Sequence, residues 1–244
     1  MTSYKSMSDK PSVRSPWFWV PSLYFAQGIP YVAVMIVSVL MYKRLGVSNT
    51  DIALYTSWLN LPWVIKPFWS PFVDLLKTKR WWVVTMQLLI GAGLAGVAFT
   101  IPTTFFFQAS LAVFWLLAFS SATHDIAADG FYMLALDSHE QAFFVGIRST
   151  FYRIAIIAGQ GVLVMFAGFL ENSTGNIPLA WSVTFFILGG LFLALFLYHR
   201  YILPLPKGDK PSATVTPSTI LKEFFATFAS FFKKKQAFVA ILFM

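Results

Sequence analysis

The stretch FFFQASLAVFWLLAFSSATHDIAADG, residues 105–130, decides the fold class of this chain, because a long apolar run ends in a histidine and two aspartates. A helix needs roughly 20 apolar residues to cross a bilayer core, and this run is long enough. An ionisable side chain at membrane depth costs at least about 2.5 kcal/mol, so its presence suggests a function. The stretch therefore predicts a transmembrane helix with charged groups on the face that meets the interior of a bundle.

The composition of the whole chain supports a membrane protein. Of the 244 residues, 57% are apolar and only 11% are charged, and the mean hydropathy is +0.68. Soluble domains carry about 25% charged residues. Aromatic residues make up 18% of the chain, as expected where rings lie at two bilayer interfaces. Cysteine is absent, which excludes disulfide bonds and thiol chemistry in these residues.

Six segments of the sequence are predicted to cross the membrane. They run approximately from Trp17 to Tyr42, Ile52 to Val73, Trp81 to Ile101, Phe105 to Gly130, Phe143 to Leu170, and Leu179 to Tyr198. A seventh begins at Gln236 and stops at Met244, too soon to cross. We therefore expect an all-α membrane protein with a six-helix domain over residues 17–200. This domain would be the first part of a longer transporter, or a fragment of one.

The distribution of Lys and Arg predicts the orientation. The net charge is +8, and most of the basic residues fall on one side of the predicted spans, in the tail 1–16, the loop 77–80, the start of the fifth span and the segment after residue 200. Lys43 and Arg44 fall on the other side. Because basic loops stay in the cytoplasm, we expect a multi-pass protein of the inner membrane with a cytoplasmic N-terminus. The same rule explains the positive charge without nucleic acid.

The segment after the sixth span differs in composition. Residues 201–235 begin with a stretch rich in Pro, Ser and Lys that is typical of a linker. Apolar residues then recur at helical spacing from Ile220 to Phe232, and three lysines follow. This pattern predicts an amphipathic helix on the cytoplasmic membrane surface, or one packed on other protein. Residues 236–244 would start a seventh transmembrane helix.

Three charged residues are predicted to form a cluster inside the bundle. Asp125 and Asp129 are four residues apart and share one helix face, which Ser121 and Tyr132 extend. Two carboxylates this close resist double ionisation, so one of them should bind a proton readily. Lys66 lies in the second span, roughly 12 Å from its end, and should pair with one of them. The cluster would then be net negative by one. The alternative is that both aspartates lie hydrated at the cytoplasmic mouth, where they cap a helix or pair with cations of the loops.

A substrate cavity is predicted next to that cluster. Gly28 and Pro30 should break the first span near its middle, and a broken helix near the midplane is a common sign of a substrate site. A simple proline kink is the alternative. The polar residues expected to line the cavity are Tyr24, Gln27, Tyr31, Asn60, Tyr132, Arg153 and Gln160.

Two further expectations concern packing. The small-residue stretches GAGLAG (91–96) and GQG (159–161) predict closely packed helices. For His124 we favour a structural hydrogen bond.

Other chemistries find little support. His124, His139 and His199 show no ligand spacing, and GxSxG and Walker sequences are absent. We therefore expect no metal, no cofactor and no enzyme activity.

Two longer stretches carry a family resemblance. VIKPFWSPFVD (64–74) and SATHDIAADGFYMLAL (121–136) resemble the AmpG-like muropeptide permeases and the related acetyl-CoA transporters of the major facilitator superfamily. The loop that contains Asp74, Lys79 and Arg80 is similar to the superfamily's signature loop, which implies a role in steadying one conformational state. The resemblance places Lys66, Asp125 and Asp129 in the family's polar core.

The resemblance also implies a function. The chain would belong to a transporter that imports cell-wall-derived anhydro-muropeptides with protons and that needs a second six-helix half. Two alternatives stay open, namely a transporter of acetyl-CoA or another conjugated metabolite, and a membrane-embedded enzyme acting on a lipid-linked substrate.

Overall fold

A computed structural model describes residues 15–211 of the chain, and in that range all regular elements are helical. The α-helices are α1 (Val20–Val32), α2 (Ser38–Arg44), α3 (Asn49–Thr56), α4 (Leu61–Ile65), α5 (Ser70–Leu76), α6 (Lys79–Thr100), α7 (Phe106–Ala135), α8 (Ser138–Ala158), α9 (Val164–Thr174) and α10 (Ile177–Ile202). Two π-helical turns, Ala33–Val37 and Gly159–Leu163, join α1 to α2 and α8 to α9. This all-α architecture fits the amino-terminal half of a major facilitator superfamily fold.

Five helical runs in residues 15–211 are long and apolar enough to cross a membrane. They are Pro16–Arg44, Lys79–Thr100, Phe106–Ala135, Ser138–Thr174 and Ile177–Ile202, and they match the predicted spans one, three, four, five and six.

The predicted second span is instead a series of short helices, α3 to α5, interrupted by 3-10 turns at Ser57–Asn60 and Lys66–Phe68. The three prolines in this segment explain its irregularity, because proline removes a backbone donor and crowds the preceding turn.

The predicted break of the first span at Gly28 and Pro30 is wrong. Helix α1 continues through both Gly28 and Pro30, and the irregular backbone comes only afterwards, in the π-turn Ala33–Val37. Gly28 does not break the helix, and its role is to let α1 pack closely on α8. A Cβ at this position would lie 2.7 Å from Ala155 Cβ and 2.9 Å from the Tyr152 carbonyl oxygen, so α1 and α8 approach as closely as they do because residue 28 has no side chain.

Short polar sequences set where the long helices begin. Thr78 accepts a hydrogen bond from the Trp81 amide at the start of α6. Asp137 and Glu140 form a capping box at the start of α8. Gly175, with φ of +63°, ends α9, and the Asn176 side chain then caps α10. These caps satisfy backbone groups that the ends of a helix leave without intrahelical partners.

The long helices pack side by side into a bundle. Helix α6 lies between α7 and α10, while α1 packs on α7 and α8. The predicted close packing is confirmed at Gly91 and at Gly159. A Cβ on Gly91 would lie 3.3 Å from the Gly189 carbonyl oxygen, and one on Gly159 would overlap the Val32 side chain.

An ion pair joins three helices at the end of the bundle that was predicted to be external. Arg44 Nε, at the end of α2, donates to Glu171 Oε2 at 2.9 Å, and Trp181 Nε1 from α10 donates to Oε1 of the same carboxylate at 2.7 Å. Glu171 is buried, and these donors satisfy both of its oxygens. The pair therefore holds α2, α9 and α10 together at this end.

Several predictions lie outside the described residues. They are the structure of the N-terminal tail before residue 15, the amphipathic helix from Ile220 to Phe232 and the start of a seventh span at Gln236. Of the predicted linker, residues 203–211 are described, and they contain no regular helix.

Candidate functional site

Lys66 and Asp125 form an ion pair inside the bundle. Lys66 Nζ lies 3.8 Å from Asp125 Oδ2, within ion-pair distance but too far for a good hydrogen bond. Asp125 is buried, and its Oδ1 has no hydrogen-bond partner. The Oε1 atom of Gln27, a residue that also interacts with Asp125, likewise lacks a donor. The site therefore contains two buried acceptor oxygens for which the protein supplies no hydrogen.

Asp129, one turn further along α7, has different partners. Its Oδ1 accepts a hydrogen bond from the Tyr24 hydroxyl at 3.0 Å and lies 3.4 Å from Arg148 Nη1. The Arg148 guanidinium carbon lies 5.1 Å from the ring centre of Tyr24 and 5.0 Å from that of Tyr132, so the cation rests against two aromatic faces. Tyr132 is itself anchored by a hydrogen bond to the Gln141 carbonyl.

The cluster contains a fourth charged residue, Arg148, beside Asp129. From the sequence, two carboxylates and one cation were expected, net negative by one, with Arg148 among the basic residues near the start of the fifth span. The structure places Arg148 beside Asp129, so four ionised groups sum to zero. A signal was present in the sequence, because Arg148 lies eleven residues after the cap of α8, roughly 16 Å along the helix. An arginine that far along a membrane helix points to a partner in the interior.

The aspartates are not the end of a helix. Helix α7 continues to Ala135, well past Asp129. The alternative interpretation of Asp125 as part of a hydrated helix end therefore does not fit, since this residue is only 8% exposed.

Asp129 borders two cavities. One, of about 510 Å³, is lined by Lys66, Ser70, Asp74 and Lys79 from the second and third spans together with the Asp129 end of α7. The other, of about 290 Å³, is lined by Tyr24, Gln27, Asp129, Arg148, Ser149, Tyr152 and Arg153. Two arginines, two tyrosines and a glutamine thus surround the second cavity, which is a suitable lining for a polar solute with negative groups.

The residues predicted for the substrate cavity divide into two groups. Tyr24, Gln27 and Arg153 line the smaller cavity. Tyr31, Asn60, Tyr132 and Gln160 do not line either of these cavities. Tyr31 packs edge-on against Trp63, with ring centres 5.1 Å apart. Sequence reasoning missed Ser149 and Tyr152, which follow Arg148 around the same face of α8.

His124 belongs to a buried polar chain that runs across four spans. Its Nε2 lies 3.1 Å from Gln87 Nε2, Gln87 Oε1 lies 2.9 Å from His199 Nδ1, and His199 Nε2 lies 3.0 Å from Ser22 Oγ. His124, His199 and Gln87 are fully buried. The structural hydrogen bond predicted for His124 is therefore present. On α6, α7 and α10, these hydrogen-bonded residues lie between two apolar core clusters.

The signature loop is held by contacts within the bundle. Lys79 Nζ pairs with Asp74, and the Lys79 stem crosses α7 at Gly130, where an added Cβ would lie 2.8 Å from Lys79 Cε. Asp209, after the sixth span, accepts hydrogen bonds from the backbone amides of Lys79 at 2.6 Å and Arg80 at 3.0 Å. The start of α6 is thus capped by a residue 130 positions away in sequence.

The described residues were also compared with the requirements of a metal site. Within residues 15–211, no group of three or more His, Asp or Glu side chains is placed to hold a metal ion.

The apolar spans and the charge pairs between them define a multi-pass membrane protein with a polar interior. The chain belongs to the BT1 family, whose family model matches residues 25–243. This membership agrees with the AmpG-like resemblance of residues 64–74 and 121–136, which is thereby confirmed.

Individual relatives carry transporter names. The chain is 28% identical over 234 residues to "Putative transporter AmpG 4" of Rickettsia conorii, covering 88% of this chain and 52% of that protein. It is 24% identical over 226 residues to the anhydromuropeptide permease of Escherichia coli strain K12, covering 89% of this chain and 42% of the permease. The chain spans about half the length of the curated relatives it matches.

Proposed function

We propose that this chain is the amino-terminal bundle of a proton-coupled secondary transporter that imports anhydro-muropeptides across the inner membrane, with its N-terminus in the cytoplasm. The BT1 family match and the names of the two relatives support transport, and the basic loops support the orientation. The match to about half of each relative supports a second bundle in the complete protein.

The observation that carries the proposal is the environment of Asp125. A buried acceptor without a donor costs about 1–3 kcal/mol, and more when it is charged. Asp125 Oδ1 is such an acceptor, and Lys66 Nζ lies 3.8 Å from the other carboxylate oxygen. Binding of one proton to Asp125 would supply the missing hydrogen. We assign the proton-carrying role to Asp125. Asp129, whose Oδ1 accepts a hydrogen bond from Tyr24 and contacts Arg148, would position Arg148.

The charge balance suggests how a proton could be coupled to the cargo. With all four groups ionised the cluster is neutral, and a proton on Asp125 leaves it with one excess positive charge from Lys66. At an effective dielectric constant of about 20, that charge attracts an anion about 8 Å away by roughly 2 kcal/mol. A protonated site would therefore hold an anionic cargo roughly 30-fold more tightly. Loss of the proton on the cytoplasmic side would weaken the hold and favour release.

The smaller cavity supports a cargo of this kind. A muropeptide is a sugar–peptide conjugate with carboxylates on its peptide. Arg148 and Arg153 offer donors to a carboxylate, and tyrosine rings are suited to packing on a sugar. An acetyl-CoA-like cargo is also anionic, which keeps it as the second candidate.

The role of Asp74 follows from its exposure. Its side chain is 54% exposed although it pairs with Lys79. We propose that this face of the signature loop contacts the second bundle and steadies the outward-facing state. Alternating access requires two bundles that move around a common site. Residues 1–244 alone should therefore show no uptake, and full transport by these residues in liposomes would contradict this part of the proposal.

Proteoliposome uptake by the full-length protein tests the coupling. Asp125→Asn should abolish accumulation driven by a pH gradient but retain exchange of labelled for unlabelled substrate, since exchange moves no net proton. Asp129→Asn should lower both, because it releases Arg148. Asp51→Asn, the same change on an exposed residue near the opposite end of the bundle, is the matched control. If both interior variants accumulate substrate with the pH dependence of wild type, the coupling role is wrong.

The same liposomes separate the candidate functions. Competition between radiolabelled anhydro-muropeptide and acetyl-CoA decides the cargo, since the true cargo displaces the other. The solute recovered inside should be chemically unchanged. A modified product would instead support the alternative of a membrane-embedded enzyme.

A further inference from the structure

Another concave surface lies on the outside of the bundle, away from the charge cluster. It is a groove of about 610 Å³ between the start of α6 and the end of α10. Thr78, Arg80 and Arg200 are polar or basic residues at the end of the groove near the helix termini, and Val84, Thr85, Leu88 and Phe196 line it further along the two helices. Leu88 lies eight residues after Arg80, roughly 12 Å deeper along α6. The groove thus changes from charged to mostly apolar along the axis of α6.

The mouth of the groove carries two exposed aromatic rings, as expected at the level of a membrane interface. Trp81 is 44% exposed and Tyr201 is 70% exposed at its mouth, and aromatic rings concentrate at this depth. Lys77 Nζ lies 5.9 Å from the Trp81 ring centre, which adds a third cation near the mouth.

The negative charge of Asp209, the one acidic residue that lines the groove, is compensated by hydrogen bonds. Asp209 accepts hydrogen bonds from the amides of Lys79 and Arg80, so its charge is held by the positive end of α6. The Arg80 guanidinium donates to the carbonyls of Leu203, at 3.3 Å, and of Arg200, which fixes the ends of the two helices relative to each other. The groove is therefore preformed and positive at its mouth.

We propose that this groove binds an anionic phospholipid, with the phosphate headgroup beside Arg80 and Arg200 and one acyl chain along Val84, Leu88 and Phe196. Basic pockets between transmembrane helices are suited to anionic headgroups, and the apolar inner half requires a ligand with a hydrocarbon chain. A free phosphate would satisfy only the mouth. The groove shares no lining residue with the two cavities at Asp129, and the proposal does not depend on which cargo is carried.

Quenching of tryptophan fluorescence by brominated lipids tests the proposal. The full-length protein is reconstituted in phosphatidylcholine bilayers that contain increasing amounts of phosphatidylglycerol or phosphatidylcholine with brominated acyl chains. The contribution of Trp81 to the fluorescence is the difference in emission between the wild-type protein and Trp81→Phe. We expect brominated phosphatidylglycerol to quench this contribution at a several-fold lower mole fraction than brominated phosphatidylcholine.

Charge variants then identify the headgroup contact. Arg200→Gln should lower the preference for phosphatidylglycerol by about fivefold, as expected for one basic residue near an anionic surface. Arg200→Lys should keep most of the preference, and Lys43→Gln, the same loss of charge near the opposite end of the bundle, should leave it unchanged.

Three results would overturn the proposal. They are equal quenching of Trp81 by the two lipids, no change of preference in Arg200→Gln, and protection of Trp81 from both lipids, which would show that protein fills the groove. If Arg200→Gln fails to fold, the comparison of the two lipids on the wild-type protein decides alone.

Discussion

Replacing Gly28 with Ala should separate α1 from α8 and thereby disturb the charge cluster. The new Cβ would lie 2.7 Å from Ala155 Cβ and 2.9 Å from the backbone oxygen of Tyr152. Favourable carbon contacts lie at about 3.5–4.0 Å, so the two helices must move apart by roughly 1 Å. Backbone and Cβ atoms cannot turn away as the end of a flexible side chain can.

The consequence reaches the cluster because its contacts cross the same interface. Arg148 Nη1 on α8 lies 3.0 Å from the Tyr24 hydroxyl on α1, and a separation of about 1 Å would take this contact out of hydrogen-bond range. Overpacking costs about 1–3 kcal/mol, and the better helix propensity of Ala returns up to about 1 kcal/mol. We expect a net loss of about 1–2 kcal/mol in the free energy of unfolding, together with reduced transport.

Thermal unfolding in detergent, followed by tryptophan fluorescence, measures this loss. Gly168→Ala is the matched control, since α9 leaves open space around residue 168 and only the propensity gain remains. The unfolding midpoint of Gly28→Ala should fall below that of wild type, while that of Gly168→Ala should stay level or rise. Equal midpoints for the two variants would refute the account of Gly28 as a contact between helices.

Three further substitutions test other parts of the structure. Gln87→Leu should leave two buried histidine nitrogens without partners and cost about 1–3 kcal/mol for each, whereas Gln108→Leu, on an exposed position of α7, should cost almost nothing in the same unfolding assay. Asp209→Ala should cost about 0.5–2 kcal/mol, as loss of a helix cap does, and should speed hydrogen exchange at the start of α6. Arg148→Gln should cost about 1–3 kcal/mol, mostly from its two aromatic contacts, because the ion pair is partly exposed and screened by solvent; an unchanged midpoint would show that Arg148 is not held there.

The membrane class and the positions of five spans could be predicted from the sequence, because hydropathy over about 20 residues is a local property of the chain. Irregularity of the second span could be predicted for the same reason, since each proline acts on its own turn. The depth of Lys66 and the four-residue spacing of Asp125 and Asp129 could also be predicted from the sequence, and they indicated a carboxylate partner for the lysine.

Partner choice inside the bundle was decided only by the tertiary structure. The sequence left Lys66 equally free to meet either aspartate, and the approach of α7 to the 3-10 turn at Lys66–Phe68 selects Asp125. Arg148 of α8 meets Asp129 of α7 where both helices pack on α1. The chain gives spacing along each helix, but the distance between helices depends on how their surfaces fit.

The same limit applies to the capping of α6 and to the polar chain through Gln87. Asp209 lies 130 residues from the amide it caps, and the partners of His199 come from α1 and α6. Hydropathy and periodicity report the nearest neighbours of a residue along the chain, and they carry no information on contacts that form only when separate helices pack together. Sequence alone therefore determined which residues lie within the membrane and are costly there, and the packing of the helices decided which of them satisfy one another and which, such as Asp125 Oδ1, are left without a partner.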